Sequence, residues 1–182
     1  VGLKAVVLEQ SDKLRPEGTT IGLFNNGMRV LELFDLADQF RNIYFNISEP
    51  YEIRCVERKV LLEAIAGQVP RGTIRLNSRV TNIKKSETSP NVTNLELEDG
   101  STYSAKVVVG FDGVNSIVGS WLGLEKPKSI GQIEIRGMAE FHSGYNFSKS
   151  SRSFLGRTIW ITIYPMTTTK VYWFVVWKES SE

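Results

Sequence analysis

The sequence predicts an α/β fold in which a parallel sheet with covering helices precedes an antiparallel sheet. Residues 5–8 and 107–109 are apolar without alternation, which is typical of strands buried on both faces of a parallel sheet. From Gln132 onward, β-branched and aromatic residues dominate, and this composition favours strands of a second sheet. We therefore expect a first domain at 1–126 and the start of an antiparallel-sheet domain at 127–182.

The first domain is predicted from a succession of short periodic segments. A strand at 3–8 leads through a loop to a helix at 26–40, whose scattered acidic residues are typical of a solvated face. A second helix at 58–69 carries apolar residues such as Leu61 and Ile65 at helical spacing. Strands are then predicted at 73–76, 80–85, 92–97 and 101–109. The last two form an antiparallel pair, because the first of them alternates in polarity and an Asp-Gly turn signal follows it.

The second domain is predicted from strands at 133–141, 158–164 and 171–177. The pattern breaks ahead of them at 124–130, where a Lys-Pro-Lys sequence marks the boundary. Aromatic residues alternate along these strands, and we expect them to pack in the core or on the sheet face rather than to bind a substrate. They are Trp160, Tyr172, Trp173 and Phe174.

Composition excludes several classes of function. With 182 residues, of which 41% are hydrophobic and 23% charged, the chain is globular rather than disordered. A net charge of +2 is too small to indicate binding to nucleic acid or to an anionic membrane. One cysteine and one histidine leave no ligand set for a metal site. No apolar run approaches the roughly 20 residues of a membrane span and no targeting signal is evident, so we expect an intracellular protein of the cytoplasm or plastid.

The segment VVVGFDGVNSIV at 107–118 is the most informative for function. A strand breaks into a turn that contains Gly110, Asp112 and Gly113, so the backbone can approach a ligand closely and an acid lies at the carboxyl end of the strand. Such an acid can bind a ribose hydroxyl or a phosphate-bound water of a nucleotide. The alternative is an ordinary strand-turn-helix junction with a following Asn or Ser as N-cap.

Glu9 supplies a second acid at the end of an apolar strand. In dinucleotide-binding folds, an acid at the end of the second strand accepts hydrogen bonds from the adenosine ribose. The alternative is a solvated strand end. Glu9 and the Asp-Gly turn together suit one nucleotide cofactor that spans the carboxyl edge of the sheet.

Five segments, taken in order, carry a family resemblance. They are EQSDKLRPEGTTIGLFNNGMRVLELFDL (9–36), IRCVERKVLLEAI (53–65), VVVGFDGVNSIV (107–118), WLGLEKP (121–127) and TKVYWFVVW (169–177). In this order and spacing they resemble the group A flavin monooxygenases, particularly the plant enzymes similar to salicylate hydroxylase and zeaxanthin epoxidase. The resemblance covers nearly the whole chain.

The resemblance implies a Rossmann-like FAD-binding domain (PHBH-type) with a parallel sheet and an antiparallel-sheet substrate domain, both incomplete. Members of the family begin with a strand, a Gly-rich turn and a helix that binds the FAD pyrophosphate, whereas this chain opens at what would be the second strand. A later Gly-Asp motif of the family would fall beyond Glu182. The linker between Phe40 and Tyr51 is shorter than the family's insert. We therefore expect a partial chain.

The resemblance also assigns residues to FAD. The cofactor-binding residues that it implies are Glu9, Gln10, Gly22, Arg58, Val80, Asp112 and Gly113. In the family, the residue that matches Glu9 binds ribose and the one that matches Arg58 binds the phosphates. The position of Val80 presents its backbone to adenine, and Gly22 matches a small residue near the isoalloxazine. It implies no catalytic side chain and no metal ligand.

Arg58 is predicted at the amino end of the helix at 58–69, where a cation is unfavourable to the helix dipole unless an anion lies nearby. The FAD pyrophosphate, which the family's arginine at this position contacts, would supply that anion. The alternative is a structural ion pair with Glu57 or Glu63.

The resemblance implies an enzyme in which FAD carries the chemistry. NAD(P)H would be a transient co-substrate that reduces FAD, and O₂ would supply the oxygen atom that hydroxylates or epoxidises a small organic substrate. Two alternatives stay open. One is a catalytically inactive, truncated family member whose unpaired strand edge weakens FAD binding. The other is a different FAD-dependent oxidoreductase, which would consume NAD(P)H without oxygen transfer.

Overall fold

The computed structural model describes residues 2–14 and 18–179. The chain forms two compact units, and each unit is built from two separate segments. The first unit joins Val1–Arg15 with Val69–Ser129, and the second joins Pro16–Gln68 with Ile130–Glu182. The chain passes from the first unit to the second for the last time between Ser129 and Ile130, close to the domain division expected after residue 126. Residues 16–68, expected in the first domain, group with the segment that begins at Ile130.

The helices and strands follow one another along the chain with short connections. In order they are β1 (Val7–Leu8), β2 (Thr20–Leu23), α1 (Asn25–Glu32), α2 (Ala37–Ile43), β3 (Arg54–Glu57), α3 (Arg58–Gly67), β4 (Ile74–Arg75), β5 (Val80–Lys85), β6 (Thr93–Leu97), β7 (Thr102–Ala105), α4 (Ile117–Trp121), β8 (Gln132–Glu140), β9 (Arg152–Leu155), β10 (Ile159–Pro165) and β11 (Lys170–Lys178). The sequence pattern predicts most of these elements, but it does not indicate β2, β3 or β9.

The first unit contains a parallel pair and an antiparallel sheet. Strand β1 pairs in parallel with β4, and β5, β6 and β7 form a three-stranded antiparallel sheet. The alternation predicted at 92–97 is confirmed on β6, where Thr93, Leu95 and Leu97 are buried and the residues between them are not. The predicted antiparallel pair is therefore β6 with β7.

Two segments that the sequence predicts as buried strands are largely exposed. The predicted strand at 3–8 is reduced to Val7–Leu8, and Val6 and Val7 are 49% and 50% exposed. Residues 107–109 form no strand, and Val107 is 76% exposed. A parallel strand becomes buried only with neighbours on both sides and helices over both faces. Among the described strands β1 pairs with β4 alone, and none pairs with residues 107–109.

The second unit has its core between helices and sheet residues from both of its chain segments. Strand β2 pairs with β3 in antiparallel register, with Thr20 opposite Glu57 and Gly22 opposite Cys55. The most deeply buried apolar members of the core are Met28, Phe40, Tyr44, Val56 and Met166. The first four precede residue 69 and the last follows Ile130, so the two segments of this unit share one core.

The single helix predicted at 26–40 is two helices, because the chain turns at Asp35. Asp35 has a φ of 55°, and its amide donates to the Glu32 carbonyl at 3.2 Å. The amide of Leu36 donates to the Leu31 carbonyl at 2.9 Å. These two bonds form a Schellman motif, in which a left-handed residue ends a helix and the next apolar residue packs against its last turn. Leu31 and Leu36 are both buried accordingly.

A four-stranded antiparallel sheet completes the second unit, in the order β8, β11, β10, β9. It confirms the three strands predicted from Gln132 onward and adds β9 at one edge. Gly137 of β8 lies opposite Trp173 of β11. A Cβ on Gly137 would lie 2.6 Å from the indole ring, so this ring lies directly on the glycine.

The aromatic residues of this sheet serve packing, as the sequence analysis expected. Tyr172 is buried in the core, and Phe174 packs against it. Trp160 meets Phe174 edge to face, with ring centroids 5.5 Å apart. Tyr164 stacks on Tyr172 at 6.0 Å.

Candidate functional site

Glu9 lies at the carboxyl end of β1, as the sequence predicts. Its amide donates to the Arg75 carbonyl at the end of β4 at 2.9 Å, and its carbonyl accepts the Ser78 amide at 2.8 Å. The carboxylate oxygen Oε1 accepts the Ser11 amide at 2.8 Å. The half-buried side chain is thus held at the strand end, where a carboxylate can accept hydrogen bonds from ribose hydroxyls.

The chain turns back after β4 and contacts the segment that follows β1 two residues before Val80. Asn77 adopts a φ of 52°, and its amide donates to the Ser11 carbonyl at 2.8 Å, which turns the chain back after β4. Val80 then begins β5. Glu9 and Gln10 therefore follow β1 directly, and Val80 begins the strand that comes after the turn at Asn77.

The Asp112 carboxylate is engaged within the chain at the amino end of α4. Its Oδ1 accepts the Ser116 hydroxyl at 2.5 Å, and its Oδ2 accepts the amides of Ile117 and Val118 at 2.7 and 3.2 Å. Ser116 is the N-cap of α4 and accepts the Gly119 amide at 2.8 Å. The turn and the N-capped helix of the structural alternative are therefore present, although residues 107–109 ahead of them form no strand. A carboxylate offers about four acceptor positions, so these bonds leave capacity for a ligand hydroxyl.

The Asp112 turn is built around a charged carboxylate and two glycines. Partial burial raises the pKa of Asp112, but hydrogen bonds from the Ser116 hydroxyl and two backbone amides lower it by more, so the net shift is downward. A Cβ on Gly110 would lie 2.7 Å from the Val118 Cβ, and Gly113 has a φ of 81°. The turn therefore requires glycine at both positions.

Arg58 is the first residue of α3, as predicted, and lies in the second unit. Its amide donates to the Thr19 carbonyl at 3.4 Å. Its side chain packs on Gly18, where an added Cβ would lie 3.1 Å from Nη1 and 3.2 Å from Cδ. The first turn of α3 holds no acidic residue. A cation is unfavourable to the dipole at the amino end of a helix, and an anion is favourable there.

Gly22 lies on β2 with its surface exposed. A Cβ at this position would make only an ordinary contact of 3.5 Å with the Phe24 ring. The fold itself therefore does not require glycine at this position. Nearby, the hydroxyl oxygen of Thr19 is buried and has no hydrogen-bond partner within residues 2–14 and 18–179.

The two glutamates considered as partners of Arg58 form ion pairs with lysines. Glu57 Oε1 lies 2.9 Å from Lys170 Nζ, and Glu63 Oε1 lies 4.0 Å from Lys59 Nζ. Sequence reasoning missed the contact of Lys170 with Glu57, because 113 residues separate the two. It also missed Gly18, for which only the glycine itself, in the loop before β2, was a signal.

The predicted site residues fall into three groups. The first unit holds one group at the ends of β1 and β4 and another at the Asp112 turn. The second unit holds Gly22 and Arg58, which are connected through the β2–β3 pair and the start of α3. Each group offers backbone or charged atoms that suit a nucleotide.

Comparison with solved structures identifies the fold. HpxO of Klebsiella pneumoniae, in a structure complexed with FAD and uric acid, matches this chain with a TM-score of 0.78 and 16% sequence identity. The match covers 97% of this chain and 50% of HpxO. The fold is therefore an incomplete form of the α/β fold found in FAD-binding proteins.

Comparison of sequences identifies the family. Monooxygenase 2 of Arabidopsis thaliana is 34% identical across 96% of this chain and 47% of its own length. Monooxygenase 1 of the same plant is 32% identical across 96% of this chain and 48% of its own length. The chain belongs to the FAD-dependent monooxygenase family and spans about half the length of the curated relatives that it matches. Residues 56–110 also match the family of flavin containing amine oxidoreductases.

The residues present fit FAD in their chemistry. Glu9 offers carboxylate acceptors at a strand end, which suit ribose hydroxyls. Arg58 brings a guanidinium to the amino end of α3, which suits a phosphate. Asp112 keeps acceptor capacity beside a turn whose glycines allow close approach.

Two kinds of feature are absent from the described part of the chain. No group of three or more His, Cys, Asp or Glu side chains there could hold a metal ion. None of the helices there combines the length and apolar character that a membrane span requires.

Proposed function

We propose that this chain forms part of the FAD site of a monooxygenase that hydroxylates or epoxidises a small organic substrate. The observation that carries the proposal is the placement of Glu9. Its half-buried carboxylate lies at the carboxyl end of a parallel strand and is oriented by the Ser11 amide. The relatives named as FAD-dependent monooxygenases and the FAD complex of HpxO support the same assignment.

In the first unit, the proposal assigns the adenosine part of FAD to the β1 and β4 ends. Glu9 accepts hydrogen bonds from the ribose hydroxyls, with Gln10 beside it, and Val80 offers its backbone groups to the adenine. Asp112 and Gly113 bind a further hydroxyl of FAD or of transient NAD(P)H, through the carboxylate that its internal hydrogen bonds keep charged.

In the second unit, the proposal assigns the phosphates to Arg58 and close approach of the isoalloxazine to Gly22. When bound, FAD supplies the redox chemistry, passing electrons from NAD(P)H to O₂, of which one atom enters the substrate and the other leaves as water. The chain's own residues bind and orient the cofactor. No side chain is proposed as a catalytic acid or base.

The test is retention of FAD by the purified chain. The chain is saturated with FAD and passed through gel filtration, and bound flavin is measured by absorbance and fluorescence. We expect stoichiometric retention, and a loss of affinity of roughly tenfold or more in Glu9→Ala, because a hydrogen bond to a charged group contributes about 1.5–3 kcal/mol. Glu87→Ala, an exposed acid of the same unit, is the matched control. Equal retention of FAD by the parent chain and by Glu9→Ala would contradict the proposal, and a folded chain that retains no flavin would favour an inactive family member.

A second candidate function is that of another FAD-dependent oxidoreductase. The match of residues 56–110 to flavin containing amine oxidoreductases favours it. The two candidates differ in the fate of oxygen. With ¹⁸O₂ and NAD(P)H, a monooxygenase places one labelled atom in an organic product, whereas an oxidase releases both atoms as hydrogen peroxide.

A further inference from the structure

Lys170 and Glu57 form a half-buried ion pair in the second unit. Lys170 Nζ lies 2.9 Å from Glu57 Oε1, and the two side chains are 27% and 22% exposed. The hydroxyl of Tyr44, a core residue, donates to the same carboxylate oxygen at 3.4 Å. Lys170 begins β11 and Glu57 ends β3, so the pair connects the four-stranded sheet to the β2–β3 pair.

Glu57 also occupies the N-cap position of α3, directly before Arg58. Short polar side chains such as Asp at this position commonly accept the amides of the first helical turn. The Glu57 side chain makes no such hydrogen bond. Its carboxylate is instead directed to Lys170 and Tyr44.

This direction has an electrostatic consequence for the amino end of α3. A carboxylate that turned toward the first-turn amides, or toward the adjacent Arg58, would cancel the positive charge that attracts an anion. Lys170 offers Glu57 a cation on a different element. The Glu57 carboxylate therefore does not compete with a bound anion for Arg58 and the first-turn amides.

We propose that Lys170 is a positioning residue for phosphate binding: it holds the Glu57 carboxylate away from Arg58 and from the amino end of α3. This inference rests on the proposed function, in which Arg58 binds the FAD phosphates. The ligand class is therefore a pyrophosphate-bearing dinucleotide, and Lys170 acts on it through Glu57 without contacting it.

The test measures the dissociation constant of FAD for the full chain at low ionic strength by quenching of flavin fluorescence. In Lys170→Met, Glu57 is released and FAD binding weakens by about threefold to tenfold, as expected for a charge at a helix amino end. In the double variant Glu57→Gln/Lys170→Met, the competing carboxylate is gone and affinity returns to that of the parent chain. Lys170→Arg keeps the ion pair and the affinity. Lys149→Met is the matched lysine control, since Lys149 is exposed and lies against Phe45.

A purely structural ion pair gives a different result. The double variant would then bind FAD as weakly as Lys170→Met, and that outcome overturns the proposal. If Lys170→Met does not give the far-UV circular dichroism spectrum of the folded chain, the FAD affinity of Glu57→Gln tests the proposal instead. It should bind FAD at least as tightly as the parent chain, and weaker binding overturns the proposal.

Arg58→Met separates this inference from the proposed function. Weaker FAD binding in Arg58→Met, together with unchanged binding in Lys170→Met, leaves the role of Arg58 intact and overturns the role of Lys170. Unchanged FAD binding in Arg58→Met overturns the phosphate role of Arg58 and, with it, the positioning role of Lys170.

Discussion

Glu52 is held by two arginines in the second unit. Arg41 donates through Nε and Nη2 to its two carboxylate oxygens, both at 3.0 Å, and Arg54 Nε donates to Oε1 at 2.8 Å. The hydrogen bonds from Arg41 make the largest contribution, burial opposes them and Arg54 adds to them, which together lower the pKa of Glu52 to about 2. This carboxylate is therefore charged in the folded state well below the pH at which it protonates in the unfolded chain.

The pKa of Glu52 predicts a specific loss of stability in acid. Its folded pKa lies below its unfolded value, so its contribution is fully present above about pH 5 and is lost as the pH falls toward 2. We expect Glu52→Gln to lower the free energy of unfolding by about 1–3 kcal/mol at pH 7, discounted for partial exposure, and by progressively less toward pH 2. Urea titrations at several pH values measure this. A pH-independent difference would contradict the prediction, and Glu87→Gln is the exposed control.

Single residues also show which parts of the site are predictable. The places of Glu9 at a strand end and of Arg58 at a helix start were predictable, because an apolar strand stands next to the first and an amphipathic helix next to the second. Lys170 carries no local signal. Its contact with Glu57 joins two different sheets, and a sequence pattern does not report contacts across 113 residues.

At the scale of elements, the four-stranded sheet depends on one close approach. The indole of Trp173 lies on Gly137 of the neighbouring strand, and a methyl group there would come within 2.6 Å of it. Glycine weakens a strand by itself, so its presence in the middle of β8 is explained by the space that the tryptophan takes.

The contact between Gly137 and Trp173 predicts a coupled pair of substitutions. Gly137→Ala should destabilise the chain by about 1–3 kcal/mol through overpacking. In a Trp173→Leu background the same change should cost clearly less, because the ring is absent. Thermal and urea unfolding of the four chains of this cycle measure the coupling. Equal costs in both backgrounds would show that Gly137 is needed for its backbone rather than for the ring.

Element prediction succeeded where periodicity was local and failed where pairing was distant. The alternation at 92–97 gave β6, and the apolar spacing after Arg58 gave α3. Strands β2 and β3 have four residues each and pair across an intervening pair of helices, so neither is recognisable alone. The break between α1 and α2 was missed because Asp35, rather than glycine, takes the left-handed position.

At the scale of the whole molecule, residues 124–130 connect the two units as an exposed stretch without regular structure. Trypsin does not cut after Lys126, because Pro127 follows it, which leaves Lys128 as the accessible site in this stretch. We predict an early cut after Lys128.

The two tryptic fragments should stay together under native conditions. The core of the second unit includes Phe40 and Val56 on one side of the cut and Met166 and Tyr172 on the other. Burial of these side chains should hold the nicked chain as one species in gel filtration, while denaturing electrophoresis shows two bands. Separate elution of the fragments without denaturant would count against a shared core.

The division of the second unit between two chain segments sets an order of events during synthesis. Helices α1 and α2 leave the ribosome without the core partners Met166 and Tyr172, since these emerge more than a hundred residues later. The β5–β7 sheet, which pairs strands adjacent in sequence, has all its parts in the meantime. The nascent chain therefore completes the β5–β7 sheet before the core of the second unit. Until β10 and β11 have been synthesised, the α1–α2 pair keeps apolar surface uncovered, and chaperones protect such surfaces from aggregation.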